Sequence, residues 1–349
     1  MEHLIYLPLG LSQKTHQIIQ KIFKNKKTKS LRYLGLKFRG YHESSQRAQQ
    51  ALEASSYHSK IPSKIKYLLL KLQYNWARSL FESDKDSIAV TWNGVKGSRG
   101  VFMMAAKDAG SQTIFLENAY FNGYVAQDTQ GINYSNSVPR WTDFYINWSM
   151  VNKCDLELLE LTKQSLRSRE RKTLKSIQYR SQSPIKKEKL FIFCPLQVED
   201  DTQLLCYSPW IKNLSTYLDI LNEASLVLPE GWQICIKEHP NSKKSIFEKF
   251  KSLRSSKLIL DNNTDTLKLI ELSQAVLCLN SSVGLQAFFY DKPVITLGQA
   301  FYSFGNMTYD FKNINDLKAL ISKPHKMTFN ANLRRIFLNY LVQEYYVKI

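Results

Sequence analysis

The stretch Ala275–Tyr302, AVLCLNSSVGLQAFFYDKPVITLGQAFY, decides how the rest of the chain is read. It opens on an apolar run of strand length, Ala275 to Leu279. The polar residues Asn280-Ser281-Ser282 follow, then a helical segment from Val283 to Tyr290. Asp291-Lys292-Pro293 breaks that helix, and Val294 to Leu297 reads as a second buried strand closed by Gly298. A strand that feeds small polar residues into a helix N-terminus can hold a phosphate, because the first N–H groups of the helix point at the anion. The same residues can also act only as a helix cap, a contribution of ~1 kcal/mol. Both roles are open for Asn280 and Ser281 on this stretch alone.

Working outward, the second half alternates. Strands at Leu190–Cys194, Trp232–Ile236 and Lys257–Leu260 are interleaved with helices at Trp210–Ala224, Ser245–Leu253 and Thr266–Leu272. Alternation at this spacing predicts a parallel sheet with helices on both faces. In the first half, Glu2–Leu9 and Leu31–Phe38 are strand-like. Ser63–Phe81 has helical period, with Ile65, Leu68, Leu69, Leu72 and Trp76 on one side. Ser87–Trp92, Arg99–Ala109 and Thr113–Leu116 read as strand, helix and strand, followed at 120–140 by a loop carrying Asp128, Gly131 and Asn133. The segment from Val151 to Ser183 turns polar and basic and reads as a helix plus interdomain linker ending at Pro184. Leu333–Tyr346 closes the chain as an amphipathic helix.

A chain of 349 residues with 44% hydrophobic and 12% aromatic content is expected to form two globular domains. Forty-eight Lys and Arg against 30 Asp and Glu give a net charge of +18, which speaks of anionic partners rather than of fold. The basic run Lys21–Lys29 fits a solvated helix end, or contact with anionic lipid or a polyanionic acceptor. The five cysteines have no metal-ligand spacing, and Cys194, Cys235 and Cys278 fall in expected strands, as in a protein of the reducing cytoplasm. The N-terminus has no signal-peptide pattern and no stretch reaches the ~20 apolar residues of a membrane span, so any membrane contact is expected to be peripheral. The only DxD, Asp84-Lys85-Asp86, stands in a polar stretch before a strand and is discounted, so no metal is expected.

Four expected strand ends carry polar clusters: Glu117; Gln197 to Asp201; Lys237 to Pro240; and Asn280 to Gly284. In α/β sheets ligands bind off the carboxyl ends of the strands, so these clusters are the candidate site. His239 directly follows a buried strand, and Pro240 keeps it extended. Arg99 and Lys237 are candidates, on charge alone, for pairing with an acidic substrate.

Lys237-Glu238-His239-Pro240, Asn280-Ser281-Ser282-Val283-Gly284, Lys292-Pro293-Val294-Ile295 and Gly298-x-Ala300-Phe301-Tyr302 together resemble the bacterial capsule polysaccharide synthesis family. That family contains β-Kdo transferases and relatives using other ulosonic acids. Pro195-Leu196-Gln197-Val198 with Asp201-Thr202-Gln203, Trp92-Asn93-Gly94, and Glu117 followed by Asp128-x-x-Gly-x-Asn133 extend the likeness over roughly 92–340. The resemblance implies an α/β fold of GT-B type, two Rossmann-like domains facing a central cleft. It implies an acceptor-side domain with basic linker over 1–185, a CMP-sugar domain over 186–325, and a C-terminal helix over 326–349 returning to the first domain.

The implied donor is a CMP-activated ulosonic acid, Kdo or a nonulosonic acid such as pseudaminic or legionaminic acid, with no further cofactor. The implied acceptor is an acidic capsule or lipopolysaccharide glycan or glycolipid at the inner face of the bacterial inner membrane. His239, Pro240, Ser281, Ser282 and Gly284 would bind the donor with Lys237, Asn280, Gln197, Asn93 and Arg99. Asp201 would be the nucleophile of a retaining reaction and Glu117 its acid/base, with Asp200 adjacent to Asp201. In an inverting reaction Glu117 or Asp128 would be the sole base. A CDP-glycerol-type glycerophosphotransferase carries similar His-Pro and Ser-Ser clusters, and the charge alone would suit a nucleic-acid-binding protein. The Pro195 to Gln203 signature argues against the first. The scatter of basic residues, without a binding motif, argues against nucleic acid.

Overall fold

The computed structural model describes residues 3–55, 61–167, 189–242 and 245–349, so most of the basic linker expected up to Ser183 lies outside the described residues. The first half runs β1 (His3–Tyr6), α1 (Gln13–Ile22), β2 (Thr28–Ser30), α2 (Ser44–Glu53), α3 (Ser63–Ser83), β3 (Ser87–Trp92), α4 (Gly97–Asp108), β4 (Thr113–Asn118) and β5 (Tyr124–Asp128). Then come α5 (Thr142–Val151), α6 (Leu156–Ser165), β6 (Leu190–Pro195), α7 (Thr202–Tyr207), α8 (Leu214–Ser225), β7 (Trp232–Lys237), α9 (Phe247–Lys251) and β8 (Leu258–Leu260). The chain ends with α10 (Thr266–Leu272), β9 (Ala275–Cys278), α11 (Ser282–Gln286), β10 (Val294–Thr296), β11 (Tyr309–Asp310), α12 (Ile314–Ile321), α13 (Ala331–Tyr340) and β12 (Tyr346–Lys348). Two compact units result. One comprises Met1–Ala119, Gly123–Val138 and Val342–Ile349; the other comprises Tyr120–Asn122 and Pro139–Leu341. Residues 139–165, expected with the first domain, therefore group with the second unit.

The first unit holds a six-stranded sheet in the order β12-β5-β4-β3-β1-β2. Strands β1 to β4 are parallel, while β5 runs antiparallel to β4 and β12 antiparallel to β5. One face packs Ile5, Ala89 and Phe115 against α2, α3 and α4. The other packs Leu4, Tyr6, Val90 and Trp92 against Ile19 and Phe23. Burial on both faces explains why β3 reads as an unbroken apolar and β-branched run.

Four expectations for this unit are corrected. Leu31–Phe38 is not a strand: the Lys37 N–H donates to the Leu72 carbonyl of α3, 3.1 Å away, and Gly35 lies so close to the Trp76 indole that a Cβ would not fit. The backbone is thus satisfied by a helix instead of a sheet. The loop after Asn118 contains β5, because Gly123 at φ +81° closes a tight hairpin onto β4. In α3 the fully buried positions are Leu70, Leu72, Tyr74, Asn75, Ala77 and Phe81, whereas Ile65 and Leu68 are each 53% exposed. The C-terminal helix stops at Tyr340. A single π-helical turn, Leu341–Tyr345, follows, and Tyr346–Lys348 pairs with β5 as a strand.

The second unit holds an all-parallel sheet in the order β11-β10-β9-β6-β7-β8. From β6 the chain steps outward to β7 and β8, then returns to the other side of β6 with β9. The winding direction therefore reverses between β6 and β9, the position where doubly wound sheets bind ligands. The core joins Ile192, Cys194, Ile234, Ile236 and Leu277 to Tyr217, Leu218 and Leu221 of α8. Burial pushes the Cys235 thiol up to about 12 and the Cys278 thiol up to about 11, so both behave as small apolar residues.

In the first unit, Asp108 at the end of α4 accepts from Arg47 Nη2 at 2.7 Å, Arg47 Nε at 2.8 Å and Tyr74 Oη at 2.7 Å, tying α2, α3 and α4 together. Burial works to raise the Asp108 carboxyl, but the hydrogen bonds from Arg47 and Tyr74 outweigh it and hold it below the usual carboxylate range. A depressed folded-state pKa adds stability above the ordinary Asp value that disappears as the pH falls through the folded one. Asp108→Asn should therefore cost about 1–3 kcal/mol at neutral pH. Urea titrations across pH should show the two proteins converging below about pH 4.

Candidate functional site

Three of the four polar clusters stand on the carboxyl edge of the second sheet. After β6, Gln197 is buried, and its Nε2 donates to Asn280 Oδ1 at 3.1 Å and to Asp201 Oδ2 at 3.3 Å. Two acceptor partners fix which end of the amide carries the nitrogen. Its Oε1 is buried and accepts no hydrogen bond among the described residues. Asp201 is the N-cap of α7: Oδ1 accepts the Gln203 N–H at 2.9 Å. Its Oδ2 is the oxygen left on the Gln197 side, in a half-buried carboxylate at a helix N-terminus, where negative charge is favoured.

After β9, the structure separates the roles left open for Asn280 and Ser281. Ser281 is the N-cap of α11, its Oγ accepting the Val283 N–H at 3.2 Å. Asn280 is fully buried and caps nothing. Its Nδ2 donates to the carbonyls of Gln203 and Tyr207 in α7, at 3.0 and 3.1 Å. Asn280 thus braces the switch point and has no surface for a donor. Gly284 is also buried. A Cβ there would meet the Tyr302 hydroxyl at 2.5 Å and Cys278 Sγ at 2.9 Å, so its glycine serves packing and not ligand contact. Tyr302 in turn donates to the Ser281 carbonyl at 2.6 Å, which holds the loop from below. Ser282, the first residue of α11, is half-buried.

After β7, His239 and Pro240 form the first half of a β-turn closed by the Ser242 N–H to the His239 carbonyl at 2.9 Å, with Pro240 at the position where its fixed φ suits the turn. His239 Nδ1 accepts the Asn241 N–H at 3.1 Å, so the ring proton sits on Nε2, and that nitrogen is a donor. Lys237 does not fit its expected pairing with a substrate carboxylate. Its Nζ donates to the carbonyls of Thr264 at 2.6 Å and Asn262 at 3.1 Å. The buried Glu238 accepts from the Ile246 N–H and Asn262 Nδ2, both at 2.6 Å, and fixes the loop after β8 against this turn.

The fourth cluster is in the first unit. Trp92 ends β3, and Asn93 and Gly94 follow with φ of +67° and +71°. A Cβ on Gly94 would strike the Phe115 ring at 2.8 Å, so this turn needs glycine for both conformation and space. The turn aims Trp92 Nε1 and Asn93 Nδ2 at Glu117 on β4, at 3.1 and 2.9 Å, and the Asn118 N–H adds a third donor at 2.9 Å. Donors on both oxygens fix the orientation of this carboxyl group. Arg99, near the start of α4, donates to the Trp92 carbonyl at 2.9 Å. Burial holds its guanidinium below the usual range, with Glu117 and Tyr6 pulling the other way. Asp128 has a different surrounding from that of a base. It is buried, Oδ1 accepts the Gln130 and Gly131 N–H groups, and Oδ2 accepts the Ser137 N–H, the Ser137 hydroxyl and the Tyr345 hydroxyl, all at 2.7–3.0 Å. It organises the loop after β5.

Tyr120 was not singled out by the sequence reading. It belongs to the second unit, where its hydroxyl accepts from Gln203 Nε2 at 3.0 Å, its carbonyl accepts from Gln286 Nε2 at 3.1 Å, and its ring meets Phe301 edge-on at 5.4 Å. It links α7 to α11. Only the unusual aromatic pair Tyr120-Phe121 inside a polar loop signalled it.

The family model described as "Capsule polysaccharide biosynthesis protein" matches residues 155–346. Protein FixF of Sinorhizobium fredii is 31% identical over 276 residues, covering 79% of this chain and 62% of FixF, so the chain spans about three-fifths of that relative's length. Two structures of Thermosulfurimonas dismutans KpsC superpose over 100% of this chain. The beta Kdo 2,7 transferase does so with a TM-score of 0.60, 17% identity and 92% of its own chain. The beta Kdo 2,4 transferase gives a TM-score of 0.55, 14% identity and 93%. At such identities the likeness is one of fold, and that fold is of GT-B type, as the two α/β units imply. The chain belongs to the capsule polysaccharide biosynthesis protein family.

Proposed function

We propose that this protein is a glycosyltransferase that moves Kdo or a related nonulosonic acid from its CMP-activated form to an acidic glycan or glycolipid acceptor of a capsule or lipopolysaccharide, at the inner face of the bacterial inner membrane. The observation that carries this reading is the set of groups at the switch point of the second sheet: Gln197, Asp201, His239 and Ser282 around one braced strand edge. Family membership and the fold shared with the two beta Kdo transferases support it.

The chemistry follows from the donor. CMP leaves with a single phosphate whose charge grows as the bond to the sugar breaks. His239 Nε2–H, the Ser282 hydroxyl and the N–H groups opening α11 are donors suited to that charge without a metal ion. Asp201 Oδ2, oriented by the Gln197 amide, attacks the anomeric carbon and gives a glycosyl ester. A phosphate leaving group needs no proton from an acid. Glu117 is then required only in the second step, to take the proton of the acceptor hydroxyl as that oxygen displaces Asp201, its carboxylate oriented by Trp92, Asn93 and Asn118. Two displacements retain configuration. The buried Gln197 Oε1 is an acceptor for an N–H or O–H of the bound donor.

His239→Ala and Ser282→Ala should each lower kcat/KM about 10²-fold or more in an assay of CMP release from CMP-Kdo and CMP-nonulosonates with glycan acceptors, and chelators should leave the rate unchanged. Near-normal turnover in either variant would remove that residue from the phosphate site, and no CMP release from any of these donors would end the reading. Glu117→Gln should accumulate a sugar ester on the Asp201 peptide, visible by mass spectrometry, while Asp201→Asn should lower turnover by about 10⁴-fold. An inverted product by NMR, with no adduct, would assign a single displacement with Glu117 as base.

A further inference from the structure

The first unit carries an exposed apolar surface inside its most basic segment. Along 31–41 the side chains divide. Leu34 is buried and Leu31 and Tyr41 pack on the core, whereas Tyr33 is 74%, Leu36 50% and Phe38 85% exposed. The hydrogen bond from the Lys37 N–H to the Leu72 carbonyl lays this loop along α3, one helical turn from Leu68 and two from Ile65, both also exposed. The exposed apolar loop residues and the exposed Ile65 and Leu68 thus stand along the same helix, the loop over its later turns and the two side chains on its first ones.

Cations are dense in the same segment of chain. Residues 21–71 contain thirteen Lys and Arg against two Glu, a net +11 of the +18 of the whole chain. Lys24, Lys26, Lys27 and Lys29 lead into the loop, Arg32, Lys37 and Arg39 alternate with its exposed apolar residues, and Lys64 and Lys71 flank Ile65 and Leu68. A cavity of about 570 Å³ is lined by Lys37, Arg39, Gly40 and Tyr41 of the loop and by Ser79, Glu82 and Ser83 of α3. The acid among them, Glu82, accepts from the Tyr41 hydroxyl at 2.8 Å and pairs with Arg78 at 3.0 Å.

We propose that this face docks on a bilayer of anionic phospholipid, with Tyr33, Leu36, Phe38, Ile65 and Leu68 entering the headgroup–acyl boundary and Lys37 and Arg39 meeting headgroup phosphates. Amphipathic surfaces of this composition bind by apolar burial plus attraction to anionic lipid. A free acidic glycan would use the cations but leave five large apolar side chains in water, so the apolar half of the surface selects lipid. The inference rests on no step of the transfer reaction, and vesicle binding needs no sugar donor, so the two stand or fall separately.

The test is co-sedimentation of the full chain with vesicles of phosphatidylcholine alone and of phosphatidylcholine with phosphatidylglycerol. Binding should require phosphatidylglycerol and weaken with salt. The double variant Tyr33→Ser/Phe38→Ser should bind at least tenfold more weakly. Replacing Lys24, Lys26, Lys27 and Lys29 by Gln should lower affinity by up to about fivefold per charge. Both variants alter exposed positions, and an unchanged melting temperature confirms that they fold. Unchanged vesicle binding by the double variant overturns the proposal. So does binding to a soluble acidic polysaccharide that matches vesicle binding and ignores Phe38, or a self-association seen by sedimentation that the double variant abolishes while vesicles are not bound.

Discussion

The buried side chain of Asn280 is the constraint on which the second unit's strand edge depends. One amide spans the end of β9, the two ends of α7 and, through Gln197, the end of β6. Strands β6 and β9 pair at Ile192–Ala275 and Phe193–Val276, and beyond these their chains leave in opposite directions, so the ladder does not reach their carboxyl ends to restrain them. A short polar side chain that donates twice and accepts once supplies that restraint, and at full burial each unmade bond would cost about 1–3 kcal/mol. The Tyr207 carbonyl reinforces it by also accepting the Gln299 N–H at 2.7 Å, so α7, which carries Asp201, is clamped at both ends.

The charges of this protein divide into those the fold consumes and those it leaves at the surface. Lys237 and Arg334 are consumed. Arg334 is buried, with Nε donating to the Met307 carbonyl at 2.9 Å and Nη1 to the Lys292 carbonyl at 2.8 Å, and its guanidinium lies 4.1 Å from the centre of the Phe288 ring. Burial lowers its pKa to about 9, which measures how strongly the carbonyls and rings must compensate for lost hydration. The remaining positive charge is densest in two stretches, residues 21–71 with a net +11 and residues 163–189 with a net +8, and the lysines of the run ahead of β2 are exposed. The net charge of +18 is thus carried by local basic stretches in both halves of the chain.

Much of the candidate site was legible because strand ends and helix starts have local signatures. The apolar run before Asn280, the Asn-Gly after Trp92 and the proline after His239 each dictate backbone geometry within four residues, and the structure follows them. Roles decided by distant partners were not legible. Asp128 and Asp201 are both aspartates near polar turns. One receives five hydrogen bonds from its own loop and from Tyr345, more than two hundred residues away in sequence, while the other keeps an oxygen toward Gln197. Similarly, Lys237 looked available until the loop after β8 brought two carbonyls to its ammonium group.

The sequence by itself determined the alternation of strand and helix, the two-unit α/β architecture and the polar clusters at the strand ends. All three rest on periodicity and turn residues, which act over a few positions. Tertiary structure alone decided that Ser281 caps while Asn280 braces, that Gly284 serves Tyr302, that Tyr120 joins α7 to α11, and that the C-terminal segment ends as a strand. Each depends on a partner supplied by a remote part of the chain. A buried polar group or an open sheet edge takes whichever partner folding brings within hydrogen-bond reach, and no local pattern encodes which one that is.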